Sequence, residues 1–222
     1  MENESESLCR QCGTCCRNGG PALHSEDRQL IEREVIPHQA LVPIRLGEPA
    51  FSPLTDRVEP VPVELLKVAT TRSWGCPFLI DSANQCAIYL NRPLECSLLQ
   101  CRNTAPLSSI IFKDSLCRRD LLSADDAVLQ FMDLHDRQCS FSELAELSGQ
   151  LSGLTVDQAS VLKRLGEIIS TDLQIRERAI GALGLDLAQE LFTFGRPMFK
   201  SLKFYGLTCA QQGNALLVRT IP

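Results

Sequence analysis

The chain is poor in several kinds of residue, and each shortage argues against a class of function. Aromatic residues make up 5% of the 222 residues, which is too few for a platform on which nucleic-acid bases stack. Lysine and arginine never form a cluster longer than a pair, and the net charge is −5 with a pI of about 5.3. This acidic balance argues against nucleic acid or an anionic membrane surface as the main partner.

The chain also lacks the signals of export and of membrane insertion. It has no hydrophobic run of about 18 residues, so the sequence predicts no membrane-spanning helix. Residues 1–7 are acidic and polar, without the basic and apolar segments of a signal peptide. We therefore expect a cytoplasmic protein, in which thiols stay reduced. No Ser–His–Asp or Cys–His signature and no glycine-rich phosphate loop is present.

Cysteine is the residue that the chain has in excess, with eleven copies. Eight of them form two groups, four within residues 9–16 and four spread over residues 76–101: Cys9, Cys12, Cys15, Cys16, Cys76, Cys86, Cys96 and Cys101. Thiols crowded in this way indicate metal ligands, because packing alone accounts for only one or two buried cysteines. The odd total and the reducing compartment argue against a disulfide scaffold.

The number of thiols leaves the kind of metal site open. Four thiolates bind one zinc ion or one four-iron cluster, so eight suit two such sites. In an extended segment, the neighbours Cys15 and Cys16 would point to opposite faces and serve different centres. The alternative is one site of four or five ligands with spare thiols. The C-x2-C-x2-C run and the dipeptide Cys76-Pro77 favour an iron–sulfur centre, as in bacterial ferredoxins, whereas zinc modules usually supply two C-x2-C pairs.

The distribution of breakers and periodic segments predicts an α+β protein in two parts. Residues 1–118 are expected to form a loop-rich cysteine module with short strands. Residues 119–222 are expected to be mainly helical and to pack on that module rather than fold independently. Within the module, residues 76–80 and 86–89 are typical of the two arms of a hairpin, and Arg92-Pro93 is a favourable start for a short helix that carries Cys96.

Capping signals predict where the helices of the second part begin and end. Ser140 and Thr155 each begin a capping-box pattern, and Asp186 is predicted to cap one more helix, which ends before residue 195. Gly184 is expected to end the long helix that follows Thr155. Residues 215–219 are expected to form a closing strand.

The cysteine pattern resembles a known family. Its sequence is C-x2-C-G-x-C-C, followed at a distance by C-P-F-L, C-x-I-Y-x-x-R-P and a further cysteine. This resembles the YkgJ-type cysteine-cluster proteins, also described as a zinc- or iron-chelating CxxCxxCC domain. The matching residues lie between 9 and 101: Cys9, Cys12, Gly13, Cys15, Cys16, Cys76, Pro77, Cys86, Ile88, Tyr89, Arg92, Pro93 and Cys96. Ser97 stands where the family often has arginine, and Cys101 is an addition. The resemblance implies a metal-binding bacterial protein; one branch, the flagellin lysine N-methylases, combines this domain with methyl transfer.

Arg92 and Tyr89, between the matched cysteines, are candidate contacts to a cofactor. Arg92 could donate to cluster sulfurs or to an anionic substrate, but a scaffold role, such as bridging to Glu95, is favoured. Tyr89 is expected to be a buried ring with its hydroxyl satisfied. Trp74, the one tryptophan, is expected to shield the metal from water.

The remaining histidines and cysteines are weaker candidates. His24 is the histidine nearest to the first cysteine group in sequence and is an outside candidate for a ligand. His135 is expected on a solvated segment. Cys117, Cys139 and Cys209 stand alone, and each is expected to be a core or surface thiol rather than a ligand.

These observations predict an iron–sulfur protein, with 4Fe–4S as the favoured cofactor and one or two metal sites. Its function would be electron transfer, or cluster-assisted modification of a protein or small molecule, including methyl transfer. The alternative from another class is a structural zinc module whose helices recruit a partner without catalysis. A metal chaperone or sensor, in which surplus thiols exchange ligands, is a third hypothesis.

Overall fold

A computed structural model describes residue 9 and residues 11–71, 73–151, 157–212 and 215–221. The fold is α+β, as the sequence predicts, with short strands in the first half and mainly helices in the second. The chain divides into two compact units: Met1–Pro43 with Val63–Leu121, and Ile44–Pro62 with Leu122–Pro222. None of the helices described here is long and apolar enough to cross a membrane.

The elements follow one another along the chain with very different lengths. The helices are α1 (Thr14–Arg17), α2 (Arg28–Glu32), α3 (Leu94–Leu98), α4 (Ala105–Ser108), α5 (Val128–Gln138), α6 (Phe141–Gln150), α7 (Gln158–Leu183) and α8 (Leu187–Phe194). The strands are β1 (Leu41–Ile44), β2 (Pro49–Ser52), β3 (Arg57–Pro60), β4 (Leu65–Val68), β5 (Leu79–Ile80), β6 (Gln85–Cys86), β7 (Leu207–Gln212) and β8 (Ala215–Thr220). The described strands pair as β1 with β4, β2 with β3, β5 with β6 and β7 with β8.

The first unit is organised around three backbone segments that bond in a ring. The N–H of Leu23 donates to the carbonyl of Leu66 at 2.8 Å, Leu66 donates to Leu116 at 3.0 Å, and Leu116 donates back to Leu23 at 2.9 Å. All three side chains are buried, so these backbone groups satisfy one another away from water. Gly20 lies so close to β4 that a Cβ there would stand 2.2 Å from the carbonyl oxygen of Val68. Only glycine permits this approach.

Two predictions for the cysteine module are confirmed with shifted boundaries. The hairpin forms, but each arm is only two residues long, with Leu79 opposite Cys86 and Ile80 opposite Gln85. The helix after Arg92 begins at Leu94, because Pro93 is its N-cap with extended backbone rather than its first helical residue. A short helix near the first cysteine group is also present, and His24 is the N-cap of its opening 3₁₀ turn.

The second unit has the larger apolar core. Its buried cluster includes positions on α7 at three- and four-residue spacing, together with residues of α6, α8 and the β7–β8 pair: Cys139, Phe141, Leu144, Val161, Leu165, Ile168, Ile169, Ile175, Ala179, Phe194, Met198, Leu202, Leu207 and Val218. The spacing turns one face of α7 to the core. At Gly166 the helix backbone comes so close to β8 that a Cβ would stand 2.8 Å from the carbonyl oxygen of Leu216.

The predicted helix caps of the second unit are mostly confirmed. The Ser140 hydroxyl accepts from the N–H groups of Ser142 and Glu143, and Asp186 forms a reciprocal capping box with Gln189. Gly184 ends α7 in the left-handed conformation, which glycine adopts without a steric penalty. Thr155 and Val156 of the other predicted box lie outside the described residues, and Asp157 is the N-cap of α7. The expectation that residues 119–222 pack on the cysteine module rather than fold independently stays a prediction.

Candidate metal centre

The first cysteine group is shaped by a left-handed glycine and a single helical turn. Gly13, with φ of 72°, is the N-cap of α1, so the chain turns directly after Cys12. Cys15 and Cys16 are adjacent on that turn, and their sulfurs lie 3.9 Å apart. The prediction of an extended segment with the two thiols on opposite faces is therefore wrong. Consecutive residues on a helix are separated by about 100°, not by the half-turn of a strand.

The second cysteine group meets the first through backbone and side-chain contacts. The N–H of Cys76 donates to the carbonyl of Cys16 at 2.6 Å, and the β5–β6 hairpin places Cys86 opposite Leu79. Arg17, at the end of α1, bonds the Asn84 side chain in the hairpin turn and lies 3.6 Å from the Asp81 carboxylate. Two segments some 60 residues apart in the chain are thereby joined at the cysteines.

Helix α3 brings Cys96 to the same place and is held by buried acids. The Asp27 carboxylate accepts the first helical N–H, that of Leu94, at 2.8 Å and the N–H of His24 at 2.9 Å. Glu95, next to Cys96, accepts the N–H of Ala22 at 2.7 Å. The Leu94 and Ala22 bonds join α3 to Asp27 and to the residue two positions before His24. In each bond, an acid satisfies a backbone donor that would otherwise be orphaned.

Five cysteines lie close enough for their thiols to influence the pKa of Cys16 or Cys96: Cys15, Cys16, Cys76, Cys86 and Cys96. Burial, together with the neighbouring thiols of Cys15, Cys76 and Cys86, raises the pKa of Cys16 to about 12. The pKa of Cys96 is also raised, first by burial and then by those same three neighbours together with Cys16. Burial is likewise the main cause of the raised pKa of Cys76. The thiols of Cys16, Cys76 and Cys96 are thus protonated at neutral pH when no cation is among them, and a cation that binds them must displace protons.

The other three predicted ligands lie outside this group of five. Cys12 is exposed, its sulfur lies 3.3 Å from the hydroxyl of Thr14, and this hydrogen bond lowers its pKa. Cys9 is half-exposed and accepts the N–H of Gln11 at 3.4 Å, and Cys101 is exposed. All eleven cysteines lie in the described part of the chain, and all are free thiols.

The five thiols lie in one region of the first unit, but they do not surround a common metal position. Among the residues that the structure describes, no three cysteine, histidine or acidic side chains stand together as a ready coordination set. The pair Cys15 and Cys16 comes nearest, because tetrahedral zinc with bonds of about 2.3 Å separates its sulfurs by roughly 3.8 Å. The donor chemistry therefore fits a thiophilic metal, and binding would have to draw the remaining sulfurs inward.

Arg92 and Tyr89 form a pair of their own. The guanidinium carbon of Arg92 lies 4.3 Å from the centre of the Tyr89 ring, a cation–π contact. The Glu95 carboxylate bonds Ala22 instead and lies 3.7 Å from the His24 ring, so the expected bridge from Arg92 to Glu95 is not the contact observed. That Arg92 and Tyr89 contact a cofactor stays a prediction.

Two expectations about individual side chains are wrong. Trp74 is 67% exposed and so does not shield the cysteines as a buried ring would. His135 is fully buried rather than solvated, with its Nε2 atom 2.6 Å from the Asp172 carboxylate. Part of the signal lay in the sequence, because His135 and Met132 share one face of α5 at a three-residue spacing, but Asp172, the partner of the buried ring, lies on α7. Both are completely buried.

Three residues near the cysteines were missed by sequence analysis: Arg17, Asp27 and Glu95. Arg17 directly follows Cys16, and Glu95 directly precedes Cys96. Neighbours of ligands in sequence are natural candidates for the groups that orient them. Asp27 gave no such signal, because it approaches α3 only in the folded chain.

The described structure thus defines a class of protein: an α+β chain with a thiol-rich first unit and a helical second unit. A model of the CxxCxxCC family, described as a "Putative zinc- or iron-chelating domain", matches residues 8–118. The chain belongs to this family, and membership supports metal binding by its first half. Comparison with curated proteins and with solved structures found no match.

Proposed function

We propose that the first unit is a thiolate metal centre, with the eight cysteines of residues 9–101 as its ligands. Cys15, Cys16, Cys76, Cys86 and Cys96 form the inner set, and Cys9, Cys12 and Cys101 supply outer or exchangeable ligands. The observation that carries the proposal is the meeting of five thiols from three separate segments at one place. Desolvated, mutually repelling thiolates are costly alone, and a bound cation removes that cost.

The proposed cofactor is an iron–sulfur cluster in the cytoplasm. The C-x2-C-x2-C run of the first cysteine group and the dipeptide Cys76-Pro77 support this proposal, because they resemble the ligand spacing of bacterial ferredoxins. When bound, such a cluster supplies one-electron transfer. The chain's own part is to hold the cysteines through Arg17 and Asp27 and to bury Cys76. Electron transfer, or modification of a protein or small molecule, including methyl transfer, is the function that this centre would serve.

A structural zinc centre is the second candidate, and one distance favours it. The 3.9 Å between the sulfurs of Cys15 and Cys16 is close to the roughly 3.8 Å expected for two thiolates on one zinc ion. A cubane spreads its ligands over four irons, so its cysteine sulfurs stand farther apart. In this case the first unit would be a folding module, and the helices would serve a partner.

One experiment separates the two candidates. The protein is purified without air, and iron, zinc and acid-labile sulfide are measured per chain, together with the visible absorption spectrum. The iron–sulfur proposal expects a brown protein with equal iron and sulfide, and about four irons per site. A colourless protein with stoichiometric zinc and no sulfide overturns it in favour of zinc. Absence of both metals after reconstitution overturns metal binding itself.

A further inference from the structure

A cavity of about 350 Å³ opens beside the grouped cysteines in the first unit. Its lining includes Arg17, Thr71, Ser73, Gly75, Cys76 and Asp81. The volume lies within the range of small-molecule sites, which combine a concave wall with a few converging polar groups. Cys76 belongs to the inner set of thiols, so a molecule in this cavity would lie directly against the proposed metal centre.

One wall of the cavity is a tight turn built before Cys76. The N–H of Thr71 donates to the carbonyl of Gly75 at 2.8 Å, and the N–H of Trp74 donates to that of Thr71 at 3.0 Å. The hydroxyls of Thr71 and Ser73 are hydrogen-bonded to each other at 3.0 Å, so one of the two donates to the other and the second keeps its proton for a ligand. The Cys76 N–H then joins this turn to Cys16.

The turn holds a bulky residue in an unfavourable conformation. Trp74 has φ of 67°, a region that a large side chain rarely adopts because it is sterically strained there. Trp74 is exposed and lies in sequence between Ser73 and Gly75, which both line the cavity. Such strain persists only where the surroundings hold it, and it concentrates at binding sites.

The described lining of the cavity also includes a cation, the guanidinium of Arg17. Arg17 bonds the Cys12 carbonyl at 3.4 Å and the Asn84 side chain, so its guanidinium is fixed in position. Its ion pair with Asp81, at 3.6 Å, joins side chains that are 45% and 81% exposed. An exposed pair of this kind contributes little to stability because water screens it, so an incoming anion can replace Asp81 at little cost. A guanidinium binds carboxylate and phosphate through paired hydrogen bonds.

We infer that this cavity binds a small molecule that carries an oxyanion, either a carboxylate or a phosphate, held by Arg17 and the hydroxyls of Thr71 and Ser73. Such a molecule would be positioned beside Cys76. The inference rests on the proposed function for the role of the molecule as substrate or regulator of the metal centre. Binding itself is measurable separately from metal content.

The single tryptophan of the chain is the reporter for the test. Purified protein of measured metal content is titrated with sodium phosphate or sodium acetate at constant ionic strength, with sodium chloride as the reference, and Trp74 fluorescence is followed. A saturable change with phosphate or acetate, absent with chloride, is the expected result. The salt that saturates identifies the oxyanion. A response equal to that of chloride, or none, overturns the inference.

Variants decide whether the lining residues are responsible. Arg17→Gln should weaken binding about tenfold or more, because a charge-assisted hydrogen bond is lost, and Ser73→Ala should weaken it a few-fold. Arg33→Gln, an exposed arginine that bonds Gln29 on α2, is the matched control and should leave the midpoint unchanged. If Arg17→Gln fails to fold, Thr71→Val with Ser73→Ala gives the same comparison without removing the Asn84 contact. An unchanged midpoint in the lining variants overturns the inference.

Metal analysis of the same samples separates this result from the proposed function. A protein with full metal content and no saturable response has a metal centre without the anion site. A protein that binds phosphate but holds no metal has the anion site, and the proposed function is then the part that fails.

Discussion

We expect the two units of this protein to be stabilised by different interactions. In the first unit, the described helices have four or five residues and the strands two to four, and Cys96 lies within electrostatic reach of four other thiols. In the second unit, α7 alone has 26 residues and lies along a continuous apolar cluster. Elements of a few residues gain little from hydrogen bonding by themselves. We therefore predict that the first unit depends on cross-links between segments, of the kind that a bound metal supplies, whereas the second depends on buried apolar area.

Two buried aspartates, one in each unit, differ in the groups that they bond. In the first, Asp27 bonds backbone N–H groups and so serves the position of α3. In the second, Asp172 accepts from Nε2 of His135 at 2.6 Å and from Nε of Arg176 at 2.9 Å. Arg176 also donates to the carbonyls of Phe194 and Gly195. That network ties α5, α7 and the end of α8 together without any metal.

The largest effect is expected from removing an inner thiol. Cys76→Ser should abolish binding at the inner site, because metal affinity and folding are coupled and structural metal sites contribute on the order of 10 kcal/mol. Metal per chain and amide hydrogen exchange measure the result. Exchange should rise around β4 and α3, while α7 keeps its protection.

Cys209→Ser is the matched control for that prediction. Cys209 is half-buried on β7, against the apolar cluster of the second unit. Its substitution should leave the metal content unchanged. Equal metal content in the Cys76 and Cys209 variants would contradict the assignment of the inner set.

The converse experiment removes apolar packing from the second unit. Leu165→Ala on α7, at a fully buried position, should lower the free energy of unfolding of this unit by about 2–5 kcal/mol and leave metal per chain unchanged. Chemical denaturation followed by circular dichroism measures the change. Leu187→Ala, 71% exposed on α8, should change the free energy by less than about 0.5 kcal/mol. A large loss of metal in Leu165→Ala would remove the distinction between the units.

Acid should weaken the second unit through His135. Burial lowers the pKa of His135 from 6.5 to about 4, against the raising effect of its bond to Asp172. Below pH 6.5 the unfolded chain therefore binds a proton that the folded chain does not, and stability falls as pH drops from about 6.5 to 4. The loss is on the order of 3 kcal/mol. Urea denaturation at pH 7 and pH 4.5 measures it. His135→Asn should show a smaller loss than the wild type, and an equal loss in both proteins would refute the assignment.

The smallest effect is expected from the acid that orients α3. Asp27→Ala removes the acceptor of the Leu94 N–H and should weaken metal binding about 10- to 100-fold, as loss of a group that orients a ligand does. Competition with a chelator measures the affinity. Glu32→Ala, exposed and paired with Arg28 on α2, is the control and should behave as wild type. Unchanged affinity in Asp27→Ala would show that Cys96 does not depend on this contact.

Sequence patterns predicted best where the cause is local. The Ser140 and Asp186 caps and the Gly184 terminus depend on a side chain or a φ angle within one turn, and all three were predicted. The hairpin before Cys86 was predicted as well, but its length was not, because strand length depends on what each arm packs against.

Local patterns failed where a distant group decided the outcome. The conformation of Cys15 and Cys16 depends on Gly13 and on the Arg17 contacts to Asn84, which lies 67 positions further along the chain from Arg17. His135 is polar on an amphipathic helix, and its burial depends on Asp172, 37 residues away. A buried imidazole is stable only when such a partner is present.

The amino-acid sequence by itself determined that this protein carries a cysteine-rich module and a helical half, because thiol spacing, caps and apolar periodicity are written in neighbouring residues. Only the tertiary structure decided which thiols meet, that Cys15 and Cys16 lie side by side, and that a cavity with Arg17 opens at Cys76. These depend on contacts between segments far apart in the chain. The physical reason is that such contacts form through the packing of the whole unit, which no local pattern encodes.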